Sequence, residues 1–323
     1  MKKIILDCLG ADKGQEEIAK GIIPCFDQDE YDFILLGEKE KLLPVLEEKG
    51  VPLSRVEIID CSTTITNNEN PTSLIKEREE TSIVKGLLRA REEDVVAFVS
   101  AGSTGAILLG SIFRLGLLPG VKFPALGCTL VNIHRGPVCL VDCGANIDVN
   151  APLLLKFAKM GNAFAKAYYK KESPRIGLLN VGKEERKGNK LSQEAHLLLK
   201  DSSLNFVGNM EGSDILLDKC DVIVSDGFAG NIVLKAIEAT AMICKKLVTS
   251  IAPEDPNIQK ASKDIYTMFG YTDLGASFIL GSQKIVLKPH GSASGDAIGN
   301  ILHIAMDMDR SELTKHLKES LDD

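Results

Sequence analysis

Two short stretches carry residues arranged for chemistry. Val224 to Lys235 reads VSDGFAGNIVLK, and Val99 to Leu109 reads VSAGSTGAILL. Aligned over eleven positions they share six, namely Val, Ser, both glycines, Ile and Leu. Each follows a run of β-branched residues and leads into a helical pattern, so each reads as a strand-to-helix turn. A glycine-rich turn that opens a helix presents free backbone N–H groups and the positive end of the helix dipole, which suits an anion and above all phosphate. The plain alternative is a glycine that merely tightens the turn; a second, similar copy favours the anion. Duplication and convergence both fit a single sequence.

Other polar residues join them. Asp226 suits a cap on local N–H groups, and Asn231 and Lys235 share a helix face four residues apart. A lysine near phosphate supplies a point charge, whereas on a surface helix it only meets water. The stretch NVGKEERKGN, Asn180 to Asn189, offers Lys183, Arg186 and Lys187 beside Glu184 and Glu185. Its approach, GLLNVGK, imitates a nucleotide-binding phosphate loop, but Glu184 stands where Ser or Thr is needed and GLLNV is a strand, so nucleoside triphosphate binding is rejected. In KPHGSASGDAIGN, His290, Gly291 and Ser292 precede a helix, another anion-ready N-terminus; His290 fits a phosphate donor, a proton donor to a leaving group, or a turn cap. Ala293 at the centre of GSASG removes a nucleophile elbow. Further strand-end candidates are Gly102, Ser103, Thr104 and Gly105, then Asp142 and Asn146 in DCGAN, Asn209 in GNMEG, and Gly227 and Gly230 in the second turn. Such a set binds an oxyanion and stabilises developing negative charge, with positioning as the main rate effect.

These residues need a frame. Apolar strand-like runs (KIILDCL, DFILLG, VEIID, VVAFVS, ALGCTLV, PVCLVDC, RIGLLNV, LNFVGN, DVIVSD, KIVLKPHG) alternate with helical stretches such as SLIKEREETSIVKGLLRAREE and APLLLKFAKMGNAFAKAYYKK. The alternation predicts an α/β fold, a largely parallel sheet with helices on both faces. Ligands sit beyond the carboxyl ends of such strands, where the polar signatures fall, so they are expected to converge on one cleft. At 323 residues, 44% of them hydrophobic, the chain supports one large unit over 1–323 with two lobes around that cleft. The loop-like stretch over 251–275 is expected to be a projecting helical element. A net charge of −7, no basic block and no tryptophan argue against nucleic-acid binding. The start MKKIILDCLG reads as a strand rather than a signal segment, and no run is expected to reach the length of a membrane-spanning helix. Eight cysteines without a CxxC pair read as buried, reduced thiols. Five histidines without ligand spacing argue against a metal site.

The order of the motifs resembles the PlsX family, phosphate acyltransferases of bacterial phospholipid synthesis. The matching stretches are the Asp7/Gly10/Asp12 start, FVSAGSTGA, PALGCTL, LVDCGANID, PRIGLLNVGKEERKGNKLS, NFVGNMEGSDIL, VIVSDGFAGNIVLK and HGSASGDAI. The resemblance implies a two-lobed isocitrate/isopropylmalate dehydrogenase-like (phosphotransacylase-like) fold. It implies attack of inorganic phosphate on the thioester of an acyl-acyl-carrier-protein, giving acyl phosphate and free carrier protein, with no cofactor and no metal. It also implies a cytoplasmic homodimer with peripheral contact at the inner face of the cell membrane. Lys187, Asp226, Asn231 and His290 are expected to be catalytic, and Gly102, Ser103, Thr104, Gly105, Asp142, Asn146, Asn209, Gly227, Gly230, Lys235, Gly291 and Ser292 to bind substrate. The chain departs from the family pattern in DCLGAD for DAMGGD, in Ser103 for Asn, in HGSA for HGSS, and in the extra basic residues Lys183, Arg186 and Lys190. Acyl-CoA or a protein thioester, as in glycine-reductase-type complexes, is the alternative donor. A silent binding subunit is the third reading, and the intact Lys187, Asp226, Asn231 and His290 argue against it. A dehydrogenase would need metal-binding carboxylates and an arginine cluster that the sequence lacks. The apolar helix after Asn231 is expected to pack on a dimer partner or to touch lipid near Met268 and Phe269.

Overall fold

A computed structural model describes residues 1–66, 69, 78–269 and 276–322. The chain divides into two compact units: Met1–Pro124 with Ala276–Lys318, and Ala125–Gly275 with Glu319–Asp323. The first unit opens with β1 (Lys2–Asp7), α1 (Gln15–Ala19), β2 (Tyr31–Gly37), α2 (Lys39–Glu48), β3 (Val56–Asp60), α3 (Ser82–Arg89), β4 (Val95–Ser100) and α4 (Thr104–Gly110). The second holds β5 (Ala125–Val131), β6 (Pro137–Val141), α5 (Ala151–Ala167), β7 (Ile176–Leu179), α6 (Lys190–Lys200), β8 (Phe206–Met210), β9 (Val222–Val224), α7 (Gly227–Ile251) and α8 (Pro256–Phe269). The chain then returns to the first unit with β10 (Ser277–Leu280), β11 (Ile285–Lys288) and α9 (Gly295–Arg310), and ends in α10 (Leu313–Asp322).

In the first unit the strands run β3-β2-β1-β4-β11-β10, parallel except for the β10–β11 pair. In the second they run β5-β6-β9-β7-β8, parallel except for β5–β6. Parallel strands covered on both faces read as continuous apolar runs, which is why nearly every strand but β10 is visible in the sequence. That strand is four buried residues, SFIL, after a loop, too short to stand out. The stretch SLIKEREETSIVKGLLRAREE forms a shorter helix than expected. Residues 73–77 lie outside the described set, and α3 begins only at Ser82, where its amide bonds the Thr63 carbonyl at 2.9 Å. Its end is fixed by Arg89, which donates two 2.8 Å hydrogen bonds to the Asp94 carboxylate.

Helix α7 corrects one expectation: its 25 residues are long and apolar enough, by length and composition alone, to cross a membrane. Its apolar residues cover more than one face, however. One side packs along α8, where the Lys245 ammonium lies 4.2 Å from the Tyr266 ring centroid and Ser262 donates to the Lys245 carbonyl at 2.9 Å. Another leaves Phe228, Ile232, Met242 and Ile243 exposed. Within 251–275, α8 is the helical part; residues 270–275 lie outside the described set.

The amino-terminal end of β7 rests on a cluster of ion pairs around Asp221, which Lys171 joins at 3.1 Å. The Arg175 guanidinium bonds both carboxylate oxygens of Asp221 at 3.0 and 3.1 Å, and the Asp218 carboxylate and carbonyl at 2.7 and 2.9 Å. Burial pushes the Asp221 carboxyl up, but the Arg175 bonds outweigh it and hold it below its ordinary value. Replacing Arg175 by Ala would leave the buried Asp221 carboxylate to Lys171, 3.1 Å away, and remove its other charged donors, so urea denaturation should show a loss of about 2 kcal/mol, with Arg175→Lys recovering part of it.

Candidate active site

The second unit places four parallel strand ends side by side, in the order β6, β9, β7, β8. At the end of β6, Asp142 is buried and its carboxylate gathers amides. It accepts from the backbone of Gly144 and Ala145 at 2.9 Å, Asn146 at 2.7 Å and Leu126 at 3.3 Å, and from the Asn146 side chain at 2.7 Å. Burial raises its pKa and these donors pull it partway back, leaving it above the ordinary aspartate value.

Beside it, β9 ends at Ser225, whose hydroxyl donates to the Asp142 carbonyl at 2.9 Å. Asp226 caps α7 by accepting from Ala229 N at 2.7 Å, and Gly227 N donates to the Asn146 carbonyl at 2.7 Å. The helix start packs so closely on the β6 turn that a Cβ at Gly230 would collide with the Asp142 carbonyl oxygen. The chain itself therefore satisfies much of this helix N-terminus. The helix begins at Gly227, earlier than the sequence suggests, so Asn231 sits in its second turn and does not cap it. Its exposed amide comes near Gly144 and makes no hydrogen bond among the described residues. Lys235 pairs with Glu238 at 2.7 Å.

After β7, the loop Asn180–Asn189 is closed from within. Asn180 accepts from Val181 N at 2.8 Å and donates to the Lys187 carbonyl at 3.1 Å. From β8, the buried Asn209 donates to the Glu184 carbonyl at 2.8 Å and shares a 2.9 Å bond with His196 of α6. Lys183 is held by Asp214 at 3.0 Å. The Lys187 side chain is exposed and makes no ion pair or hydrogen bond among the described residues. Asn189 caps α6 by accepting from Ser192 N at 2.9 Å.

The first unit repeats the device. Asp7 at the end of β1 stands in register with Ser100 at the end of β4. The Ser100 hydroxyl donates to Asp7 at 2.7 Å and accepts from Gly102 N at 3.2 Å, while Leu9 N donates to Asp7 at 3.1 Å. Gly10, at φ 81°, lies so near Gly102 that an added Cβ would stand 3.0 Å from its Cα. Ser103, Thr104 and Gly105 carry this turn into α4. The next parallel strand, β11, delivers His290, Gly291 and Ser292. The Gly291 carbonyl accepts from Asp12 N at 2.9 Å. His290 Nδ1 accepts from Ser292 N at 3.3 Å and lies 2.8 Å from the Ser292 hydroxyl. The start of α9, expected to await an anion, already has one: Gly295 N donates to the Glu17 carboxylate at 3.1 Å.

The sequence profile of a family described as "Fatty acid synthesis protein" matches residues 2–316. A phosphate acyltransferase of Caldanaerobacter subterraneus subsp. tengcongensis is 37% identical over 99% of this chain and 97% of its own length. Another, from Dehalococcoides mccartyi, is 38% identical over 94% and 89% respectively. The chain belongs to the PlsX family of phosphate acyltransferases. As a member it is an acyltransferase. Among solved structures, a phosphotransacetylase from Streptococcus pyogenes superposes with a TM-score of 0.64 at 16% identity, covering 95% of this chain and 94% of its own. A branched-chain phosphotransacylase from Enterococcus faecalis V583 does so at 0.64 and 14%, covering 95% and 98%. At such identities the likeness shows the fold, which is phosphotransacylase-like.

In this PlsX-family chain the paired device has a sequence signature that the glycine turns alone do not reveal. DCLGAD from Asp7 and DCGAN from Asp142 are near-copies, and each stands beside a VS turn. His196 and Asn209 form a clamp with no local signal, because a histidine on the buried face of a helix looks like any core residue. Burial pushes the Asp7 carboxyl up to about 6, against the pull of the Ser100 hydroxyl and the Leu9 amide. A raised acid pKa costs nothing while the group is protonated in both states, below about pH 4. Between about 4 and 6 the unfolded chain releases its proton first, so stability falls, and above 6 the full cost is present. Asp7→Asn should therefore gain on the wild type as pH rises from 4.5 to 7.5, by on the order of 2 kcal/mol in chemical denaturation. An unchanged difference across that range would show that Asp7 ionises normally.

Proposed function

We propose that this enzyme transfers the acyl group of an acyl-acyl-carrier-protein to inorganic phosphate, supplying acyl phosphate to phospholipid synthesis. The observation that carries the reading is the pair Lys187 and Asn231. They are exposed and uncommitted among the described residues, Lys187 in the loop after β7 and Asn231 in the second turn of the helix after the adjacent parallel strand β9. Lys187 neutralises the phosphate, the Asn231 amide binds an oxygen, and Asp226 holds the helix that carries Asn231. Asp142 and Asn209, whose polar atoms are taken up internally, position these groups. In the first unit, Gly102 to Gly105, His290, Gly291 and Ser292 form a second set of polar strand ends, belonging to that unit alone. Exposed Arg186 and Lys187 suit an anionic donor, which fits both an acidic carrier protein and the phosphates of coenzyme A.

Chemically, a phosphate oxygen attacks the thioester carbonyl, the tetrahedral oxyanion collapses and the C–S bond breaks. The proton lost by hydrogen phosphate ends on the departing thiol. A thiol with a pKa of about 8.5 leaves readily near neutrality, so no strong general acid is required. Nor do the cysteines suit a covalent relay: seven of the eight are buried, and burial pushes Cys25, Cys61 and Cys220 up to about 12. Trapping with hydroxylamine, with acyl-carrier-protein and acyl-CoA in separate arms, should yield hydroxamate that depends on phosphate and is greater with the carrier protein. Lys187→Ala and Asn231→Ala should lose about 100- to 1,000-fold in kcat while keeping the wild-type circular dichroism. Single replacement of each cysteine should leave turnover intact, and kinetics should be sequential. An isolated acyl-cysteine would overturn direct attack.

The exposed apolar side chains Phe228, Ile232, Met242 and Ile243 on α7 support a homodimer, since large apolar residues grouped on one helix side seek cover. The far end of α8 at Phe269 is assigned a peripheral membrane contact in the cytoplasm. Ile243→Lys should sediment as a monomer, and Phe269→Glu should reduce flotation with anionic vesicles; variants indistinguishable from wild type would remove each assignment in turn.

A further inference from the structure

We infer that His196 is a positioning residue for the reaction, holding the backbone of Lys187 in place through Asn209. The inference deepens the acyl-transfer reading above and rests on it. Histidine is an unexpected choice at this place in the fold. His196 lies on the inner face of α6 with Ala195 and Leu199, which are buried like itself. It packs edge-on against Phe206 of β8, the ring centroids 5.0 Å apart. A leucine or phenylalanine would fill such a site at no polar cost, whereas a buried imidazole must find partners.

Its partners lead to Lys187. The Glu184 carbonyl can only accept, and it takes two donors: the Asn209 side chain at 2.8 Å and the Lys187 backbone amide at 3.0 Å. Asn209 therefore presents its NH2 group to the loop and its oxygen to His196 Nδ1, 2.9 Å away. That makes the imidazole the donor and puts its proton on Nδ1. The other ring nitrogen, Nε2, lies 4.0 Å from the Glu185 carboxylate, so the ring faces two successive residues of the same loop. Further bonds complete the mount. Asn180 donates to the Lys187 carbonyl at 3.1 Å, and the Gln193 side chain donates to the Arg186 and Gly188 carbonyls at 2.9 and 3.2 Å. The peptide groups around Lys187 are thus tied to the end of β7, to α6 and, through Asn209, to β8. The side chain alone is left open. Its stem passes over Gly182, where an added Cβ would stand 2.9 Å from Lys187 Cγ, and the residue is exposed. A lysine mounted this way meets phosphate without first having to order its backbone, which is the preorganisation that charge stabilisation needs.

The test separates the donor from the ring. His196→Phe keeps a ring against Phe206 but has no donor, while His196→Asn loses the ring and places an amide N–H where Nδ1 stands. His196→Phe should lower kcat roughly tenfold or more, the scale of a misplacement of about 1 Å, and His196→Asn should recover most of it. In a Lys187→Ala background His196→Phe should cost less than about twofold more, because both changes remove the same interaction. Should His196→Phe not fold, Asn209→Asp serves instead. It still accepts from His196 but offers the Glu184 carbonyl no donor, and it should show the same loss and the same lack of additivity. Trypsin supplies a readout that needs no turnover, since it cuts after Arg186 and Lys187 once the loop opens. Cleavage there should be several-fold faster in His196→Phe than in wild type or His196→Asn. A His196→Asn variant no better than His196→Phe, a loss that adds to that of Lys187→Ala, or unchanged cleavage would each overturn the inference. If wild type forms no acyl phosphate from any thioester, the reaction reading fails by itself, and the cleavage rates still decide whether His196 holds the loop.

Discussion

Burying a carboxylate without a cation is costly unless hydrogen-bond donors surround it, and this chain does so twice, at the ends of β1 and β6. Asp142 draws the backbone of Gly144, Ala145 and Asn146 into a tight turn around itself. That turn then receives the start of α7, through Gly227 N and the close approach at Gly230. Asp7 works through a side chain instead, using the Ser100 hydroxyl as relay to Gly102 N. In both units the acid fixes a glycine turn, and the turn aims a helix. The polar strand ends are ordered because the carboxylates beneath them gather backbone amides and hydroxyls.

Helix α7 shows how one element serves several demands. Its first turn is taken up by the strand ends, its second carries Asn231, and its later turns divide between α8 and an exposed apolar stripe. A helix apolar on more than one face resembles a membrane span in composition alone. Its anchoring at Asp226 and its packing on α8 give it a role within the second unit.

Much of this was legible because parallel strands announce themselves as apolar runs and strand-end glycines punctuate them. The VS turns, and the amides and lysines proposed for the site, could be named from order and spacing. The partners of those residues could not. That Ser100 faces Asp7 depends on the β1–β4 register, and that Asn209 grips the Glu184 carbonyl depends on a loop folding back over β8. The occupied starts of α7 and α9 were equally hidden, since a free and a filled helix N-terminus have the same sequence signature. Glu17, which fills the latter, lies 278 positions away in the chain.

The route of the chain through the first unit governs its birth on the ribosome. Strand β4 takes its neighbour β11 from the far side of the second unit. Between Ser100 and Ile285 the ribosome needs roughly 10 to 40 seconds at about 5–20 residues per second. For that interval the run VVAFVS has an unsatisfied edge, the kind of segment that recruits other strands, while nearly all of the second unit, Ala125–Gly275, is made first. Nascent chains of this enzyme are thus most vulnerable to aggregation late in synthesis, and a stop codon before Ile285 would make that vulnerability permanent.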